Sequence, residues 1–93
     1  AFKSRIADNL IESLLKYATL LDEHEAFDTK LLISDIIFRF DSVNEAALRL
    51  KCATYVFMRK QYMAKTTYEH FCREYKSLYD EPFEHSFNSI ISQ

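Results

Sequence analysis

The segment MRKQYMAKTTYEHFCREYK, residues 58–76, decides the fold, because it separates two runs of helical periodicity by a short break. Residues 43–57 and residues 68–79 each place apolar side chains every three or four positions. The Thr-x-x-Glu sequence at 66–69 has the form of a capping box, in which two side chains satisfy the first amides of a helix. We therefore predict a third helix that ends near residues 61–62, a tight turn, and a fourth helix.

The third helix is predicted to start at a second capping box, the Ser-x-x-Glu sequence of residues 42–45. Its predicted buried stripe consists of Val43, Ala46, Ala47, Leu50, Ala53, Thr54 and Phe57. After the fourth helix, residues 82–91 predict a short fifth helix with Pro82 in its first turn, where a missing amide costs nothing.

Two helices are predicted in the first half of the chain. Apolar residues recur at helical spacing over residues 2–21, which indicates an amphipathic first helix. Residues 30–40 are apolar on most sides, and Asp28 or Thr29 can cap the second helix that they form. A helix of this kind has to lie at the centre of the domain or place its spare face against a second subunit. The predicted fold is all-α, a compact single-domain bundle of four to five helices over residues 1–93.

Glycine is absent from the 93 residues, and the sites that depend on it are excluded. Phosphate-binding loops and dinucleotide fingerprints need backbone conformations that only glycine adopts cheaply. We therefore infer no cofactor and no small-molecule substrate.

The sequence also bears on location and redox state. The first ten residues are charged where a secretory signal would be apolar, and the apolar run at 31–40 is too short to cross a bilayer. We therefore expect an intracellular, cytoplasmic protein with no membrane partner. Cys52 and Cys72 are too few for a disulfide framework, and we expect buried, reduced thiols.

The net charge of −2 hides a division between the two halves of the chain. Nine acidic and three basic residues between Asp8 and Glu45 give −6, whereas seven basic and two acidic residues between Arg49 and Lys76 give +5. Charge asymmetry of this kind can mark the place where a charged partner docks.

The basic half contains a candidate nucleic-acid-binding surface. Arg49 and Lys60 are eleven residues apart, so on one continuous third helix they would share a face. The start of the fourth helix would present its amides and positive dipole end to an anion. The candidate residues are Arg49, Arg59, Lys60, Lys65, Thr66, Thr67, His70, Arg73 and Lys76. The alternative is that these side chains are the solvated backs of two core helices.

The six residues TTYEHF, 66–71, resemble the corresponding stretch of tetracycline-repressor-like DNA-binding domains. The resemblance ends after these residues, and the upstream signature is missing, so we assign the chain to no family.

A second candidate surface is a protein interface. The surplus apolar surface of the second and fifth helices predicts contact with a protein partner or with a second copy in a homodimer. The candidate interface residues are Leu31, Ile33, Ile37, Phe38, Phe87 and Ile91.

The spacing of the histidine and cysteine residues does not indicate a catalytic site or a metal site. His70 and Cys72 are two positions apart on a helix and point in different directions, so they can neither share a metal ion nor act as nucleophile and base. We expect no metal site and no enzymatic activity.

Three functions remain. The first is a small helical regulatory or adaptor protein that acts through protein–protein contacts, as a homodimer. The second is a regulator that binds DNA or RNA, double-stranded DNA included, through the surface from Arg49 to Lys76. The third is an inhibitor whose acidic face, from Asp8 to Glu45, imitates nucleic acid.

Overall fold

The computed structural model describes residues 2–92 and the side chains of residues 5–92. The described residues form five α helices and no strand. The helices are α1 (Phe2–Thr19), α2 (Phe27–Phe40), α3 (Glu45–Phe57), α4 (Gln61–Tyr79) and α5 (Phe87–Ile91). Their radius of gyration is 13.2 Å, close to the roughly 12 Å expected of a compact domain of this length. The prediction of a compact all-α bundle of four to five helices is confirmed.

The central helix is α3, which packs against α2, α4 and α5. Leu48 and Cys52 are fully buried although they lie outside the predicted stripe of this helix, so α3 is covered on more than one face. Of the two alternatives for the second helix, the central position is wrong, because Leu32 on α2 keeps 60% of its surface exposed. Contact of its spare face with a second subunit stays a prediction. Small residues such as Ala47 let neighbouring helices approach α3 closely on several sides.

Two groups of buried side chains form the core, one on each side of α3. The group between α3, α4 and α5 consists of Leu48, Cys52, Ala64, Phe71 and Ile90. The group between α1, α2 and α3 consists of Ala18, Ile33, Ile37 and Ala47.

Helix α2 begins earlier than the sequence predicts. Ala26 precedes it in a left-handed conformation, with φ of 58°, and provides no side-chain cap. Asp28 and Thr29 lie inside the first turn, so the prediction that one of them caps the helix is wrong. The buried Lys30 explains the early start, because its ammonium group donates to the Asp22 carbonyl and draws the α1–α2 loop onto the helix.

The cap of α3 is Asn44. Its Oδ1 accepts a hydrogen bond from the Ala47 amide at 2.9 Å, which satisfies one of the free donors of the first turn. Ser42 lies in the preceding turn, where the Asp41 side chain accepts from the Val43 amide. The predicted capping box at 42–45 is therefore wrong, because the Asp41 turn moves the helix start to the next polar residue.

The connection between α3 and α4 comes earlier than predicted. Helix α3 ends at Phe57, and Arg59 adopts a left-handed conformation with φ of 61°. The Lys60 amide donates to the Tyr55 carbonyl at 2.8 Å, which closes the turn. Since Lys60 lies outside α3, it does not share a helix face with Arg49, and that prediction is wrong.

Thr66 lies inside α4 rather than at its start. Its hydroxyl donates to the Tyr62 carbonyl one turn earlier, at 3.0 Å. The capping box predicted at 66–69 is therefore wrong, and both threonines of this sequence are helix-interior residues.

The chain returns from α4 to α3 through residues 80–86. Asp80 ends α4 in a left-handed conformation, and Pro82 lies exposed in the loop, so its predicted place in the fifth helix is wrong. The Tyr68 hydroxyl donates to the His85 carbonyl at 2.6 Å and holds this loop on α4. Ser86 caps α5 by accepting from the Ser89 amide.

Candidate functional site

Arg49 of the predicted basic surface forms an ion pair within the chain. The Arg49 Nη2 atom lies 3.0 Å from Oε2 of Glu45, one turn earlier on α3. Its Nη1 atom is buried and meets no acceptor among the described residues. The guanidinium is therefore held within the fold rather than presented to a phosphate.

Lys65 also has a partner within the chain. Its ammonium group lies 5.4 Å from the centre of the Phe87 ring, which places it on the side of α4 that faces α5. Arg59, Lys60, Arg73 and Lys76 are exposed and form no ion pair with another described residue. These four cations are what remains of the predicted basic surface.

The other three predicted residues, Thr66, Thr67 and His70, line a trough on the opposite side of α4. The trough has a volume of about 620 Å³. Its floor is α3, and its walls are α2 and α4. It is lined by Asp35, Phe38, Ser42, Lys51, Tyr55, Tyr62, Met63, Thr66, Thr67, His70 and Phe71.

Four Phe and Tyr side chains, Phe38, Tyr55, Tyr62 and Phe71, supply most of the apolar surface of the trough. Phe38 of α2 and Phe71 of α4 meet with their ring centres 6.4 Å apart, while Tyr62 at the rim keeps 70% of its surface exposed. Aromatic side chains give much apolar contact area and lose little rotamer freedom on binding. The trough is thus a preformed apolar surface that a ligand can bury.

The polar groups of the trough are largely occupied. Lys51 Nζ lies 2.9 Å from Oδ1 of Asp35, so the one cation and the one carboxylate that line it neutralise each other. The hydroxyls of Thr66 and Thr67 donate to carbonyls of their own helix. His70 Nε2 is directed to Glu74, at 3.9 Å. This arrangement favours an uncharged, apolar occupant.

The sequence did not identify the trough. Tyr55 and Tyr62 were outside the predicted stripes of the third and fourth helices, and an aromatic residue outside a core stripe is the signal that could have indicated a binding surface. The contact between Asp35 and Lys51, which are sixteen residues apart, could not be predicted without the tertiary structure.

The six residues of the predicted protein interface differ in how accessible they are to a partner. Ile33 and Ile37 are buried inside the chain, so the prediction is wrong for these two, because a partner cannot reach them. Leu31, Phe38, Phe87 and Ile91 are half-buried, and the last three pack against the core group around Leu48.

An exposed apolar stripe lies along α1, and two of its residues, Ile6 and Leu10, belong to the apolar face predicted for the first helix. It consists of Ile6, Leu10 and Tyr17, each between 38% and 53% exposed. The adjoining face of α1 packs on α2 through Ala18 and its neighbours, with Leu14 next to the stripe. We call these three residues the α1 stripe.

The two cysteines are free thiols in different surroundings. Cys52 is fully buried, its Sγ lies 3.5 Å from the Ala64 carbonyl oxygen, and burial raises its pKa to about 12. Cys72 is half-buried beside Tyr68, whose own pKa is raised to about 12, first by burial and then by the hydrogen bond with Cys72. The raised pKa of Cys52 is the opposite of the lowered pKa that makes a cysteine reactive.

Within residues 5–92, no three side chains of His, Cys, Asp or Glu come close enough together to hold a metal ion. No helix in the described part of the chain has the length and apolar character needed to cross a membrane. Comparison with known proteins finds no family model that matches this chain and no match among curated proteins or solved structures.

Proposed function

We propose that this chain is a non-enzymatic helical regulatory or adaptor protein that acts through protein–protein contacts, and that the trough binds an apolar helical segment of the partner. The observation that carries the proposal is the trough itself, an open groove of about 620 Å³ with four Phe and Tyr side chains in its lining, on a chain of 93 residues. Aromatic residues are enriched in protein interfaces relative to other surface.

A helix fits the shape of the trough. Helices α2, α3 and α4 provide three sides of a bundle, and a fourth helix between α2 and α4 would complete it. The α4 wall runs from Tyr62 to Phe71, which is about 14 Å or two and a half turns. This length matches anchors at positions i, i+4 and i+7 of an amphipathic helix.

The ionisable groups of the trough support binding rather than catalysis. Asp35 and Lys51 are paired with each other. The hydroxyls of Thr66 and Thr67 donate to backbone carbonyls of α4, and no histidine or carboxylate among the described residues is hydrogen-bonded to them. An activated nucleophile needs a base within hydrogen-bonding reach. The trough offers contact area without such a pair.

Nucleic-acid binding is the second candidate function, and the four exposed cations Arg59, Lys60, Arg73 and Lys76 favour it. With Arg49 and Lys65 held by Glu45 and Phe87, fewer cations are free to contact phosphates than the sequence suggested. Fewer phosphate contacts mean weaker binding with a shallower salt dependence. We therefore place protein contact first.

The test is fluorescence anisotropy with a panel of labelled amphipathic peptides that carry Leu or Ile anchors at i, i+4 and i+7. We expect saturable binding with dissociation constants in the micromolar range. Thr66→Glu should weaken it, because it places a charge at the rim of an apolar surface. Ser77→Glu is the matched control, since Ser77 is exposed on the same helix and does not line the trough.

Two results would count against the proposal: no peptide binds, or Thr66→Glu and Ser77→Glu reduce binding equally. A labelled random duplex of 25 base pairs, measured at two salt concentrations, tests the second candidate in the same assay. Salt-sensitive duplex binding that Arg59→Glu/Lys60→Glu abolishes would place nucleic acid first.

A further inference from the structure

We infer that the helix which fills the trough is α1 of a second copy of this chain, docked through the α1 stripe. The inference rests on the proposed function, because it names the occupant of the same trough. It follows from two apolar surfaces that one chain leaves uncovered and from the charges at their ends.

The α1 stripe has the form of a docking helix. Ile6, Leu10 and Tyr17 are separated by four and seven residues, so they lie within a narrow arc of the helix surface. They extend over about 16 Å of helix, similar to the roughly 14 Å of the α4 wall. Folding of the single chain leaves them exposed, since α1 packs on α2 through the adjoining residues around Ala18.

Charge complementarity favours the second copy. His24 of the acidic α1–α2 loop packs on Phe57, near the basic α3–α4 turn of the same chain, yet no ion pair between described residues joins the loop to the turn. The loop that follows the α1 stripe contains the exposed acidic residues Asp22, Glu23 and Glu25. The turn that precedes the α4 wall contains the exposed cations Arg59 and Lys60. If α1 docks antiparallel to α4, the acidic loop of one copy lies beside the basic turn of the other.

The occupant cannot come from the same chain. Ala18 of α1 lies in the core group with Ile33 and Ile37, which holds α1 on α2. The trough is lined by Asp35 and Phe38 of α2 instead. Each copy therefore has one exposed α1 stripe and one open trough. If the stripe of each copy binds in the trough of the other, the two copies form a closed dimer with two-fold symmetry.

The experiment is sedimentation equilibrium of the 11.0 kDa chain from the micromolar to the millimolar range. We expect a reversible monomer–dimer equilibrium. Ile6→Glu/Tyr17→Glu removes the stripe, Thr66→Glu blocks the trough, and each should lower the association constant about tenfold or more. Leu78→Glu is the matched control, since it changes an exposed apolar residue outside both surfaces and should leave association unchanged.

Mixing the two deficient variants distinguishes reciprocal docking from unspecific hydrophobic contact. The stripe variant keeps an intact trough, and the trough variant keeps an intact stripe, so a mixed pair retains one of the two contacts. We expect heterodimers at concentrations where each variant alone is monomeric. Their absence, or equal weakening by Leu78→Glu, would overturn the inference.

The orientation is tested by charge reversal. Arg59→Glu/Lys60→Glu and Glu23→Lys/Glu25→Lys should each weaken association, and mixing the two should restore it. A chain that stays monomeric throughout overturns the second-copy inference. If that monomer still binds the labelled peptides through Thr66, the proposed function stands, and the partner is another protein.

Discussion

Single residues of the same type acquire different chemistry from their surroundings, and the two cysteines illustrate this. Both were expected to be buried, reduced thiols, and both are free. Cys52 is enclosed by α3 and α4 and has its pKa raised to about 12 by burial, whereas Cys72 is only half-buried. The difference depends on which side of each helix is covered.

The raised pKa of Cys52 predicts that the protein loses stability in mild alkali. In the unfolded chain a thiol loses its proton near pH about 8.5, whereas the folded chain keeps the Cys52 proton up to about pH 12. Above about pH 8.5 the unfolded state binds fewer protons, so the free energy of unfolding falls, by at most about 1.4 kcal/mol per pH unit for one group.

Urea unfolding between about pH 8 and about pH 10 measures the decrease in the free energy of unfolding, in a range where most tyrosines have not yet ionised. Cys52→Ala should reduce the slope, although it lowers stability at neutral pH by leaving a small cavity. Ser77→Ala is the control, since Ser77 is exposed and does not titrate, and it should keep the slope of the unmodified chain. An unchanged slope in Cys52→Ala would contradict the prediction.

At the scale of helices, the sequence predicted that each helix forms but not the residues at which it starts. The starts of α2, α3 and α4 all differ from the expected capping residues, because loop contacts moved them. The Asp41 turn places Asn44 rather than Ser42 at the start of α3. Where several residues could cap a helix, the turn before the helix determines which of them lies at the capping position.

The cap of α3 provides a direct comparison of the two candidates. Asn44→Ala removes the acceptor for the Ala47 amide and should lower the free energy of unfolding by about 1 kcal/mol. Ser42→Ala should change it by less than about 0.5 kcal/mol, because Ser42 is exposed and caps nothing. Equilibrium urea denaturation measures both, and the reverse order of effects would restore the capping box at 42–45.

At the scale of the whole molecule, the arrangement of helices around α3 creates both the core and the trough. On one side of α3 the short helix α5 packs closely and covers it. On the other side α2 and α4 diverge above the contact of Phe38 with Phe71, and the trough lies between them. The domain therefore has one closed side and one open side.

The central position of α3 predicts an unequal cost of removing two leucines. Leu48→Ala deletes a fully buried side chain and should lower the free energy of unfolding by about 2–5 kcal/mol. Leu32→Ala, on the outer face of α2, should change it by less than about 0.5 kcal/mol. Guanidinium denaturation measures both values. Comparable costs would mean that α2 is buried instead, for example in a stable dimer.

The helical class and the presence of four to five helices were determined by the sequence alone. Periodicity of three and four residues and the absence of glycine act locally, within a turn or two, so no knowledge of the fold is needed to interpret them. The exposed positions of Thr66 and Arg73 on α4 follow from the same local periodicity.

Only the tertiary structure decided which helix is central and which side chains converge. The pairing of Lys51 with Asp35, the packing of Lys65 on Phe87 and the trough itself join residues from different helices. The apolar pattern of a helix specifies which of its faces is apolar but not which other helix covers that face. Of two equally apolar faces, one can therefore lie in the core and the other in contact with solvent. That choice depends on packing between helices, which sums many weak contacts over the whole chain.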